Sequence, residues 1–313
     1  MKRKFLLAMS LVVILSIIAT TLVYLDKYSL SKDAMTKKYS KEIENSLTLE
    51  DNQKIIRIVR DDLNKDNIDD YIVLYGVENQ ITSDNLMETD SNQNLQQLTT
   101  TLDIYTNVGV AYVDNNNNEL LKYETNKEFN GDVDLNIVKD EQGKYIFVND
   151  SNSCNMALIK WEDNQLKDLV QDSFGNDFYG YTFTSEWIEK EKVKNAEGVE
   201  EEKELEKPKL NIELDTIKPD YLPENKEKYT LEFSNDKINS QNYRNTYMAN
   251  KFNTFEINNE ATDGKLHVVA TQNILYLNKV VEGEKLPKTA GKINITFTLE
   301  GDKLTYDTIA IKE

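Results

Sequence analysis

Residues 5 to 25, FLLAMSLVVILSIIATTLVYL, run without a charged side chain directly behind MKRK. As a helix, these 21 residues would rise about 31 Å, close to the hydrocarbon thickness of a bilayer. The run continues apolar through Leu22, Val23, Tyr24 and Leu25, and Ala19 has Ile17 two positions before it, so it lacks the short apolar core and small-x-small end of a cleaved signal. The pattern predicts a single transmembrane anchor at 5–25 with a cytoplasmic tail at 1–4, and a cleaved, secreted form is the alternative. Lys2, Arg3 and Lys4 would stay on the cytoplasmic side. On either reading the chain beyond residue 30 is extracytoplasmic.

After the apolar run the pattern changes period. Residues 26–50 are polar without regular apolar alternation and are read as a stalk, with helix as an alternative for SKDAMTKKYSKEIENSL. From residue 54 short runs rich in β-branched and aromatic residues recur: KIIRIVR, YIVLYGV, LTTTLDIYT, GVAYV, LLKYET, VDLNIV, KYIFVN and MALIKWE. Asn, Asp and Gly separate them, as in DNNNN (114–118) and DEQG (140–143), where positive φ is tolerated. A charged stretch at 186–209 interrupts the series and is read as a helix, an exposed hairpin arm or a mobile insertion. Further strands follow to the end, closed by a hairpin turn at EGDK (300–303), while SQNYRNTYM (240–248) is read as a short helix. The expected fold is mainly β, with antiparallel sheets of sandwich or propeller-blade type behind the membrane helix. The expected divisions are a β-domain at 51–185, the charged segment at 186–209, and a second β-region at 210–313 that either joins the first domain or stands apart.

Composition narrows the chemistry. A formal net charge of −18 speaks against nucleic-acid binding, which needs clustered Lys and Arg. A single cysteine, Cys154, and a single histidine, His267, exclude an intrachain disulfide and a four-ligand Cys/His zinc site. His267 sits in the strand-like GKLHVVATQ and is read as a strand residue rather than a catalytic base.

The stretch DDLNKDNIDDY, residues 61 to 71, carries the strongest chemical signal. Alternate side chains of such a loop turn inward while the backbone wraps a hard cation. Asp62, Asn64 and Asp66 take positions one, three and five, Ile68 offers its carbonyl at seven, and Asp70 its carboxylate at nine. Position six needs positive φ and holds Asn67, a common substitute for Gly. Position twelve is Val73, and the flanks are strands, so this is not an EF-hand. The alternative reading is a metal-free acidic hairpin.

The segment IIRIVRDDLNKDNIDDYIVLYG is similar to the strand, D-x-N-x-D-G-x-x-D, strand pattern of FG-GAP or VCBS-type repeats, as in exported β-proteins of spore-forming Gram-positive bacteria. The resemblance covers roughly residues 54–170. It implies a structural Ca2+ held by Asp62, Asn64, Asp66, Ile68 and Asp70. It also implies a second loop, for which Asp132, Asp134, Asn136 and Asp140 have the spacing. Ile137 at position six opposes the required φ, so that segment is read as a strand.

The expected function is a membrane-anchored, extracytoplasmic binding or scaffolding protein for a protein or carbohydrate ligand, for which its 17 Tyr and 2 Trp could supply a surface. The alternative is an exported hydrolase, such as a glycosidase, working through a pair of carboxylates.

Overall fold

The computed structural model describes residues 32–88, 95–116, 120–150, 155–175, 178–216, 221–225, 228–232, 243–248, 252–258, 262–278 and 288–312. The apolar run at 5–25 lies outside these residues. Among the described residues no helix is long and apolar enough to cross a membrane. The protein is mainly β, and its registered strand pairs are antiparallel. It divides into two compact units.

The first unit contains the described residues up to Val77, together with Asn107–Asn126 and Asp163–Gln165. It opens with helix α1 (Lys32–Leu47), followed by β1 (Gln53–Asp61), β2 (Asp70–Glu88), β3 (Leu95–Val113) and β4 (Leu120–Glu124). The sheet order is β1-β2-β3-β4, with β5 (Phe129–Asn130) also on β3. The distal part of β2, the proximal part of β3 and β5 belong to the second unit. The two runs expected as separate strands at 98–106 and 109–113 form one strand, β3, which passes through Asn107 at positive φ.

Helix α1 occupies the segment read as a stalk. Met35, Tyr39, Ile43 and Leu47 are buried and pack with Ile58, Tyr71, Val73, Tyr75, Ala111 and Val113. An apolar residue only every fourth position makes a stripe narrower than that of most core-facing helices, which is why the segment reads as polar. Polar groups fix the same contact. Thr36 Oγ1 accepts from Ile58 N at 3.0 Å, and Arg60 donates to the Tyr39 hydroxyl at 3.2 Å. The Arg60 guanidinium lies 5.3 Å from the centroids of both Tyr39 and Tyr71, in the range of cation–π attraction.

The second unit holds three sheets: β6 (Val133–Lys139), β7 (Lys144–Asp150), β8 (Met156–Glu162) and β9 (Gln165–Asp168) in the first; β10 (Tyr181–Lys194), β11 (Glu200–Thr216) and β12 (Lys228–Glu232) in the second; and β15 (His267–Asn278), flanked by β13 (Tyr243–Met248), β14 (Thr254–Ile257), β16 (Lys288–Glu300) and β17 (Lys303–Lys312), in the third. Residues 243–248, expected within a short helix, are strand β13 on β15. One apolar cluster joins residues from all three sheets with helix α2 (Leu169–Phe174). Phe178, partly buried against this cluster, stacks on Phe174 at 4.1 Å and on Phe255 at 5.5 Å.

Two polar devices hold this core. Asp168 caps α2 by accepting from Val170 N and Gln171 N, and it pairs with Lys127 Nζ at 2.9 Å. Gln272, fully buried on β15, takes both backbone groups of Tyr181: its Oε1 accepts from Tyr181 N at 2.9 Å and its Nε2 donates to Tyr181 O at 3.1 Å. The approach needs Gly180, because a Cβ there would fall 2.1 Å from the Gln272 amide carbon.

The charged segment 186–209 lies in the hairpin of β10 and β11. The strands pair from Tyr181↔Thr216 out to Lys194↔Glu200, with an irregularity between Ile188 and Lys190. Tyr181, Leu210, Ile212 and Leu214 root the hairpin in the core, whereas residues 200–204 are exposed.

The packing of α1 yields a direct expectation. Ile43 is 2% exposed, so Ile43→Ala should destabilise the first unit by about 2–5 kcal/mol. Denaturant unfolding of the parent and the variant measures this, and a difference near zero would return α1 to the status of a stalk.

Candidate functional site

Strands β1 and β2 close around the acidic stretch, and their last registered pair is Asp61↔Asp70. Residues 62–69 form the connecting loop. Both flanks are strands, as expected from the sequence. Asn67 has φ 69°, the left-handed conformation assigned to position six, and Lys65 has φ 64° as well.

The loop side chains fold over their own backbone. Asp62 Oδ1 accepts from Asp66 N at 3.1 Å and its Oδ2 accepts from Asn67 N at 3.1 Å. Asn64 Oδ1 accepts from Asp66 N at 3.0 Å, and Asp66 Oδ1 accepts from Ile68 N at 2.8 Å. The oxygens of positions one, three and five are thus gathered on successive N–H groups of one short loop. Ile68 is 38% exposed, large for an apolar side chain among the described residues.

Asp70 engages other groups. It is fully buried, its Oδ2 accepts from the Tyr112 hydroxyl at 2.9 Å, and its Oδ1 accepts from Asn115 N at 3.1 Å. Both carboxylate oxygens therefore hold the end of β3 and the turn that follows it. Burial raises the Asp70 carboxyl above its ordinary value of 3.8; the bonds from Asn115 and Tyr112 oppose the rise, and the charges of Asp114 and Asp66 add to it.

The turn after β3 completes the site. Asp114, 4% exposed, accepts from Asn64 Nδ2 at 3.1 Å through Oδ2 and from Asn116 N at 2.7 Å through Oδ1. Asn116 Nδ2 reaches Asp66 Oδ2 at 3.4 Å. The sequence shows this stretch only as a turn. Its one hint is an Asp opening a run of Asn, since nothing in the spacing joins residue 114 to residue 64.

The donor set is of hard oxygens, the chemistry that suits calcium rather than zinc. Asp62, Asn64 and Asp66 fit that role by type and position. Among the described residues no group of three His, Cys, Asp or Glu side chains is placed to hold a metal ion. The second acidic segment is strand β6, where Asp134 accepts from Leu135 N and Asn136 Nδ2, and Asp140 caps the following turn through Gln142 N and Gly143 N.

The remaining chemical candidates lie in the second unit. His267 opens β15, with Nε2 2.9 Å from both Asp263 oxygens and Nδ1 2.9 Å from Thr298 Oγ1. The contact to His267 is the leading cause that holds the Asp263 carboxyl below its usual range. Thr298 is buried, so this arrangement ties a strand end to its neighbour. A shallow polar depression of about 200 Å³ on β10–β12 is lined by Thr184, Glu186, Asn211, Glu213 and Lys228. Its two carboxylates are exposed, and Glu213 lies 3.5 Å from Lys228 Nζ. Cys154 lies outside the described residues.

No protein-family model, curated protein or solved structure matches the chain.

Asp70 gives this site a pH signature. Because its carboxyl is raised in the fold, the folded state binds the proton more readily than the unfolded chain does. Relative to Asp70→Asn, the parent should gain stability as pH falls through the raised value, and the gain should be complete below the ordinary carboxylate range. Denaturation of both proteins from pH 7 down to about pH 3 measures the difference. A difference independent of pH would remove burial as the dominant influence on Asp70.

Proposed function

We propose that this chain is an extracytoplasmic binding or scaffolding protein, anchored by residues 5–25, whose first unit is stapled by one structural calcium ion. The carrying observation is the loop at 62–69. Three oxygen-bearing side chains at alternate positions are gathered between two paired strands, with Asn67 in the conformation the wrap requires. Asp62, Asn64 and Asp66 would supply side-chain oxygens and Ile68 its carbonyl. Asp70 would act from behind, holding the 112–116 segment that places Asp114 beside Asn64. The ion would add positive charge where backbone N–H groups now partly offset the carboxylates.

The resemblance to FG-GAP or VCBS-type repeats supports the same reading, since it implies a loop that opens a β-domain and holds a structural Ca2+. The antiparallel sheets are consistent with a sandwich or blade arrangement. The uncharged run behind three basic residues supports the anchor.

Extracellular sites of this type bind calcium at roughly 0.1–1 mM. At ten times the dissociation constant, binding adds about 1.4 kcal/mol of stability. Thermal unfolding of the full chain with calcium and with chelator should therefore show a higher midpoint with the ion. Asp66→Ala should abolish the increment by deleting a central ligand, and Asn67→Gly should preserve it. An unmoved midpoint, or an Asp66→Ala protein that responds like the parent, leaves the loop as an acidic turn.

Membrane attachment is tested separately. Protease added to intact, wall-stripped cells should degrade residues 26–313 while the protein stays with the membrane fraction. Protection from the protease would overturn the topology, and release with a new N-terminus would overturn the anchor alone.

A further inference from the structure

The distal part of the β10–β11 hairpin is a two-stranded ribbon, a structure only marginally stable in water when alone. Its side chains from Lys190 to Lys194 and from Glu200 to Glu204 are exposed or partly exposed. The register places Lys190 opposite Glu204, Lys192 opposite Glu202 and Lys194 opposite Glu200. Directly opposed and alternate residues share one face of a sheet, so this face carries a column of three lysines on β10 beside a column of three glutamates on β11. Within the arm the charges meet only diagonally, Lys190 with Glu202 and Lys192 with Glu200, both at 3.6 Å, and all four side chains are more than half exposed. Ion pairs this exposed contribute little to the arm.

We propose that this face is a contact surface between two copies of the chain, stacked face to face with their arms pointing the same way. The charge pattern selects this arrangement. A two-fold axis parallel to the strands exchanges the left and right columns, so each lysine column lies over a glutamate column of the other copy. A two-fold axis across the strands, with the arms opposed, places lysine over lysine and glutamate over glutamate. Edge-to-edge pairing about a two-fold axis sets β10 against β10 or β11 against β11, again joining like charges. Only the first closed arrangement is complementary in charge throughout, and it gives each lysine and glutamate of the face an opposite charge on the other copy. Face-to-face sheets pack about 10 Å apart, a gap that extended Lys and Glu side chains from both sides span. The inference rests on the arm alone and is independent of the calcium loop.

The test is sedimentation of the full chain, combined with cross-linking at the arm tip. Dimer should form at low salt, and its dissociation constant should rise roughly tenfold or more towards 1 M salt, where the screening length is about 3 Å. Val199 sits at the tip and is 55% exposed. In a Cys154→Ser background, Val199→Cys should cross-link copy to copy with a short bismaleimide. A six-fold swap (Lys190→Glu, Lys192→Glu, Lys194→Glu, Glu200→Lys, Glu202→Lys and Glu204→Lys) keeps the opposite-charge pairs within the arm. It should dimerise with itself and cross-link at the tip. Mixed with differently tagged parent, it should give no tip-to-tip cross-link between the two types, because their columns then meet as like charges. A chain that stays monomeric at low salt, a dimer indifferent to salt, or parent and swap cross-linking at the tip as readily as parent with parent would each overturn the proposal.

Discussion

A carboxylate withdrawn completely from water destabilises a fold by several kcal/mol unless its lone pairs are met. Asp70 is such a group, and the local structure of the first unit is arranged around meeting it. The Tyr112 hydroxyl and the Asn115 amide reach it from β3 and the turn that follows, about forty residues further along the chain. That requirement sets where β3 must end relative to β2. It brings Asp114 beside Asn64 and Asn116 beside Asp66, so the acidic loop is bordered by a second segment it could not have recruited through local turn chemistry. The same residue closes the β1–β2 pairing opposite Asp61. The loop, the strand register and the neighbouring turn thus share one buried anchor.

The strands were largely legible because their signal is local. Alternating β-branched and aromatic residues between Asn, Asp and Gly punctuation mark β1, β7 and β8 directly. The inward-folded loop was legible too, since alternate side chains of a short loop meet without help from elsewhere. Helix α1 was legible only as the alternative to a stalk, because Met35, Tyr39, Ile43 and Leu47 are each separated by three polar residues and gain their meaning only against Ile58 and Tyr75. Asp114 was not, because its role depends on how β2 and β3 lie together. Asp70 was read by spacing as facing inward with Asp66. Its burial and its bonds to Tyr112 and Asn115 are properties of the sheet.

The second unit handles charge in two contrasting ways. Lys127 and Asp168 form a pair whose side chains are 12% and 0% exposed, with Asp168 also accepting from the first N–H groups of α2. In such surroundings attraction is strong and desolvation costly, so removing either partner harms the fold more than the pair as a whole helps it. Asp302 represents an intermediate case. It receives Lys160 and Lys167 at 2.9 and 3.1 Å, and those bonds hold its carboxyl below the usual range. Its contribution is present above the ordinary carboxylate value and is lost as pH falls through the lowered one. The arm lies at the other limit, with every lysine and glutamate of its patterned face in water.

These differences locate the parts of the molecule that respond to the ionic medium. Buried pairs are screened little by salt, so the core of the second unit is nearly indifferent to it. The loop at 62–69 concentrates carboxylates on a chain that already carries a net charge of −18. There, backbone N–H groups act as a fixed, partial positive charge that no change of medium removes. On the proposed reading a divalent cation would compete with those same N–H groups for the same oxygens, so its effect would be the difference between two arrangements and smaller than the filling of an empty cage. The arm has only exposed diagonal ion pairs between its lysine and glutamate columns, and salt screens these readily. Salt should consequently act chiefly on the arm, whose charges meet in water, whereas on the proposed reading calcium would act on the loop, through oxygens that backbone N–H groups already hold.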